Sequence, residues 1–93
     1  MAMNPKPTKV SVRIDDYYCL ESETKREYCE TQRPHWHLYK DGVPVWCIFA
    51  NLTWLTHPKN IEPKIIDKVI EETNKHAVEL YWAFSNNAMH GAV

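Results

Sequence analysis

Residues 33–42 read RPHWHLYKDG, and residues 43–49 continue VPVWCIF. An Asp-Gly pair between two apolar, aromatic and β-branched runs signals a two-residue hairpin of type I′. Asp tolerates a left-handed backbone, and Gly adopts one freely. With Asp41 and Gly42 as the loop, Lys40 faces Val43, Leu38 faces Val45 and Trp36 faces Cys47. Side chains alternate along a strand. One face then carries Trp36, Leu38, Val43, Val45 and Cys47, and the other His35, His37, Tyr39, Pro44, Trp46 and Ile48. Trp36 and Leu38 are expected to point inward, leaving the two imidazoles on the outer face. Pro44 has no N–H to give to a ladder and is expected at a sheet edge.

Upstream, residues 9–18 (KVSVRIDDYY) alternate, with Val10, Val12 and Ile14 against Ser11, Arg13 and Asp15. Period two with β-branched residues predicts a half-buried strand. Residues 21–33 are polar and carry both signs of charge, which predicts an exposed connection with room for a helical turn. Downstream, residues 51–57 (NLTWLTH) suggest a short fourth strand that ends at Pro58. The last element is a single long helix. Pro63 suits its first position and Glu62 its cap. Its apolar stripe comprises Ile66, Val69, Ile70, Thr73, Ala77, Leu80, Tyr81 and Phe84. Ile65, Val78 and Trp82 flank that stripe, and Trp82 calls for a partner of its own: a loop, a strand or another chain. The fold class is α+β, a small antiparallel sheet of three or four strands with one long C-terminal helix on one face. Residues 1–8 are expected to be flexible, residues 9–88 to form one domain, and residues 89–93 to form a loose tail.

Ninety-three residues suit one domain with a small core. Lys and Arg total 11 against 12 Asp and Glu, a balance that argues against broad electrostatic binding to a phosphate backbone. No apolar run approaches the length of a membrane span, and the opening MAMNPKPTKV lacks the apolar centre of a signal peptide. Cys19, Cys29 and Cys47 stand at no recognised spacing, so reduced thiols in a cytoplasm are expected, with a Cys19–Cys29 disulfide as the alternative. Four Trp, five Tyr and two Phe are more large rings than one helix can cover, and some are expected at a contact surface or a homo-oligomer seam.

The order Pro34, His35, His37, Gly42, the strand VWCI, then Asn74 and Trp82 on a helix resembles the bacterial domain of unknown function 4160 family. Its members look like PPHVHV, a glycine turn, a strand and a C-terminal helix ending near EAW. The likeness covers roughly residues 10–88. The polar connection is fuller here, and Val or Pro follows the turn where the family has a small residue. The resemblance implies this fold and a cytoplasmic protein of bacterial or phage origin. It also implies a toxin–antitoxin-like or phage–host setting, with a protein partner and, as an alternative, nucleic acid.

On one strand, His35 and His37 point the same way and can approach one metal. Zinc then needs further ligands, for which Cys29 or Glu30 come first and Cys19 and His57 after them. A bound water would be the nucleophile, with Glu30 or Asp41 as base. Without metal, His35 or His37 would serve as catalytic base, with Tyr39 or Arg33 stabilising charge. The reading put ahead of both is two polar residues on a half-open strand face, with no cofactor expected and zinc as the alternative. The leading functional expectation is a small binding module, not an enzyme. It engages a macromolecular partner, foremost a protein, through a face made of Arg33, His35, His37, Tyr39, Lys40 and Trp46. A small hydrolase, foremost a nuclease using His35 and His37 with or without zinc, is the second reading. A nucleic-acid-binding regulator is the third.

Overall fold

The computed structural model describes residues 8–54 and 56–90. Residues 1–7 of the expected flexible segment 1–8, and residues 91–93 of the expected tail 89–93, lie outside them. The chain forms β1 (Ser11–Arg13), β2 (Tyr18–Ser22), α1 (Arg26–Thr31), β3 (His35–Lys40), β4 (Val43–Phe49), α2 (Pro63–Lys75) and α3 (Ala77–His90). The strands form one antiparallel sheet in the order β1-β2-β3-β4, each paired with its sequence neighbour. The class is α+β, as expected. No described helix is long and apolar enough to cross a membrane.

The run read as one strand over 9–18 is a tight bend between two. Asp15 Oδ1 accepts from the backbone N–H groups of Tyr17 and Tyr18, both at 2.8 Å, which turns the chain back on itself. In β2, Tyr18, Leu20 and Ser22 are buried, whereas Cys19 and Glu21 face the other side. The polar composition of 21–33 concealed the end of this strand, and the helical turn allowed within it is α1. Residues 51–57 form no strand among the described residues.

The hairpin turn is as predicted. Asp41 (φ 49°) and Gly42 (φ 81°) both take the positive φ that a type I′ turn demands. Beyond the turn the register departs from the simple one. Lys40 pairs Val43 and Tyr39 pairs Pro44, but Leu38 pairs Trp46, His37 pairs Cys47, Trp36 pairs Ile48 and His35 pairs Phe49. A bulge between Leu38 and Tyr39 leaves Val45 without an opposite number. A one-residue slip exchanges the faces of everything beyond it. Here it turns Trp46 and Ile48 inward beside Trp36 and Leu38, in place of Val45 and Cys47. The gain is physical, because two large apolar side chains enter the core where the simple register would have put a valine and a thiol.

The core lies between this face and α2, with Leu20, Trp36, Leu38, Trp46 and Ile48 meeting Ile65 and Val69. Trp36 Nε1–H donates to Thr73 Oγ1 at 2.9 Å, and the Thr73 hydroxyl donates on to the Val69 carbonyl at 2.7 Å, which satisfies a fully buried indole. Glu62 and Pro63 begin α2 as expected.

The predicted single helix is two. His76 (φ −106°, ψ 12°) leaves the helical region between α2 and α3. Its imidazole lies between Glu72 and Glu79, with its ring centroid 5.9 Å from that of Trp36. Beyond the break α3 packs along α1. Leu80 and Ala83 join the core, and Phe84 reaches the opposite face of the sheet, beside His35. Asn87 ties this end together. Its Nδ2 donates to the carbonyls of Thr8 at 2.9 Å and Glu23 at 3.4 Å, and its Oδ1 accepts from Thr8 N–H at 2.7 Å. Thr8 is therefore anchored, and residues 89 and 90, expected in a loose tail, belong to α3.

Candidate functional site

The sheet face turned away from α2 carries Ser11 and Arg13 from β1, Cys19 and Glu21 from β2, His35, His37 and Tyr39 from β3, and Cys47 and Phe49 from β4. One end is roofed. His35 is 1% exposed, its ring 5.1 Å from Phe84 and 6.1 Å from Phe49, centroid to centroid. Towards the hairpin the face opens, and His37, Tyr39 and Cys47 are half-buried.

The bulge that fills the core also composes a site. It places Cys47 directly opposite His37 and on the same face as both histidines. One ligand atom each from His35, His37 and Cys47 lie within 4.8 Å of one another. A tetrahedral zinc with bonds of about 2.0–2.3 Å sets its ligand atoms ~3.3–3.8 Å apart, so closure needs a side-chain shift of about 1 Å.

His35 Nδ1 lies 2.8 Å from the Arg33 carbonyl oxygen. A carbonyl only accepts, so Nδ1 carries a proton and Nε2 is the nitrogen left to face a cation, the orientation of a metal-ligating histidine with an ordered backbone partner. His37 Nδ1 is buried with no hydrogen-bond partner among the described residues, and Glu23 Oε1 stands 3.5 Å away. Burial, and then the nearby His35, hold His37 below the usual imidazole value against the opposing pull of Glu23. Its ring is therefore neutral and able to donate a lone pair at pH 7. Burial, reinforced by Glu23, pushes the Cys47 thiol up to about 11. A bound cation reverses that preference, because it stabilises the thiolate directly.

Only part of the expected binding face survives. His37 and Tyr39 remain accessible. His35 is sealed rather than exposed. Arg33 is exposed at the edge, its guanidinium 4.3 Å from the Phe49 ring centroid. Trp46 is 5% exposed on the core side, a consequence of the bulge. Lys40 also lies on the core side of the strand, at its open end, with Nζ 5.6 Å from the Tyr18 ring centroid. Of the expected further ligands, Cys29 is buried outside the cluster, its Sγ 3.9 Å from the Glu23 carbonyl oxygen. The side chain of Glu30 lies outside the described part of the structure. Cys19 lies near Glu21, with Sγ 3.6 Å from Oε2, and His57 packs against Trp54. Asp41 sits in the hairpin turn, at the far end of β3 from His35. All three thiols are free, with no Cys19–Cys29 bridge.

Cys47 and Glu23 were the residues that sequence reasoning missed. Glu23 had a faint signal: the alternation of Tyr18, Leu20 and Ser22 against Cys19 and Glu21 extends to it, so recognising β2 would have placed it on the face that carries the histidines.

Compared with known proteins, the chain matches no family model, no curated protein and no solved structure.

Proposed function

We propose that this chain is a small binding module built on a zinc-type site. His35, His37 and Cys47 take a soft divalent cation, and the fourth position turns to the open sheet face, where a protein partner docks. The observation that carries this reading is the convergence of three ligand atoms within 4.8 Å across two adjacent strands. Two imidazoles and a thiol suit zinc better than they suit magnesium or calcium, which prefer oxygen. Protein ligands numbering three leave a position for an outside donor. The partner reading is supported by the half-buried rings of His37 and Tyr39 on a face no helix covers at the hairpin end, flanked by Arg13 and the Lys9–Glu21 ion pair of 2.7 Å. Cobalt(II) titration of chelator-treated protein tests the metal. Tetrahedral d–d bands with a thiolate charge-transfer band are expected in the wild type. The charge-transfer band is lost in Cys47→Ser, and all bands weaken in His37→Ala. A wild type that gives only the spectrum of hydrated cobalt refutes the reading.

A hydrolytic reading draws on one further contact. The Glu23 carboxylate is 3.5 Å from His37 Nδ1 and would take up the proton of a water activated by a cation held there, the role expected of Glu30 or Asp41. RNA cleavage that requires zinc and disappears in Glu23→Gln supports it; zinc-loaded protein that leaves RNA intact removes it.

A further inference from the structure

The outer side of α3 is out of keeping with an exposed surface. α2 carries six charged residues along Pro63–Lys75 and buries a single face, whereas Ala77–Met89 carries only Glu79. The inner side of α3 presents Leu80, Ala83 and Phe84 to the protein. The outer side presents Val78, Trp82 and Met89, each 72% exposed, and Tyr81, 50% exposed. With Ser85 these recur at helical spacing and make a second apolar stripe. A helix apolar on both sides is normally buried on both.

We infer that this stripe is the interface of a homodimer in which two copies of α3 pack antiparallel across a two-fold axis. Three features select a second copy as the occupant. The stripe itself has no charge, so it offers no complementary electrostatic handle to a charged partner and no repulsion to itself. Its size order is self-complementary. With the axis between Ala83 and Phe84 in register, Val78 faces Met89 of the other copy and Trp82 faces Ser85, so each indole lies over a small residue. A hollow of about 250 Å³ lined by Tyr81, Trp82 and Ser85 receives the opposing indole. The area is also sufficient. The exposed parts of Val78, Tyr81, Trp82 and Met89 come to roughly 500 Å² per chain, or about 1,000 Å² in the pair, the threshold of a specific but weak association. An interface of this size stands at the weak, transient end of specific association. It is separate from the metal site, since the ring that meets His35 is Phe84, on the inner side of α3.

Sedimentation equilibrium of the full chain across a concentration series tests this. A monomer–dimer equilibrium is expected, weakened by about thirtyfold or more in Trp82→Glu, whose exposed position leaves the circular dichroism unchanged. Register is tested by mixing. Val78→Lys and Met89→Glu proteins each self-associate poorly, but together they form a heterodimer, because the introduced ammonium of one copy faces the introduced carboxylate of the other. A wild type that stays monomeric at several hundred micromolar overturns the inference, whatever else covers the stripe. So does a Trp82→Glu protein that dimerises like the wild type. A mixture no tighter than either variant alone overturns the antiparallel register.

Discussion

Replacing Cys47 by Ser changes the proton count of metal binding as well as its strength. In the metal-free protein the Cys47 thiol is held at about 11. At pH 7 its thiolate fraction is roughly one part in ten thousand. A cation that binds the thiolate must expel that proton at every pH below 11, so Cys47 contributes a tenfold rise in apparent zinc affinity per pH unit. Between pH 7 and pH 9 the contribution is about a hundredfold. His37 adds nothing over that range, because its ring is held below the usual imidazole value and is already neutral. Serine keeps the shape of the side chain but supplies no thiolate. The ratio of wild-type to Cys47→Ser affinity therefore widens by about a hundredfold from pH 7 to pH 9. Competition against a chromophoric zinc chelator at fixed ionic strength measures the ratio. Calorimetry in two buffers of different ionisation enthalpy counts the protons, with one more released by the wild type than by the variant. A ratio that stays constant over the two pH units, or equal proton release from both proteins, refutes Cys47 as a ligand.

Two further perturbations probe the scaffold. Thr73→Val removes the acceptor of the buried Trp36 indole N–H and should lower unfolding free energy by about 1–3 kcal/mol in urea titrations, whereas Thr73→Ser should stay near wild type; equal stability of all three would show that the indole finds another partner. His37, with its folded-state value depressed, binds a proton less readily in the native than in the unfolded chain. The stability of chelator-treated protein should therefore be full above the unfolded imidazole value of about 6.5 and decline as pH falls below it. His37→Gln should flatten that decline, and an identical pH profile for the two proteins would contradict the burial of a neutral ring.

Local chemistry wrote several features directly into the sequence. Asp41 and Gly42 take the positive φ that a two-residue turn requires, and that demand is met within two residues. Alternation along β3 set Trp36 and Leu38 inward and His35 and His37 together on the other face, because the side-chain period of a strand is two. Pro63, with Glu62 before it, marked the start of α2 for reasons confined to the backbone of those residues. The aromatic excess anticipated an uncovered Trp82.

Tertiary packing decided what local rules left open. The bulge at Leu38/Tyr39 satisfies no preference within the hairpin; it exists because Trp46 and Ile48 fill the space under α2 better than Val45 and Cys47 would. That single slip moved Trp46 off the expected binding face and brought Cys47 to the histidines. The turn away from helix at His76 has no glycine or proline to announce it, and beyond it Phe84 of α3 lies against His35. Glu23 reaches His37 only because β2 and β3 pair across a connection that looked like polar loop. Turns, parity and caps depend on a few consecutive residues. Register, helix breaks and the makeup of a side-chain cluster depend on which distant surfaces must fit together, and that fit is reached only when the whole core closes.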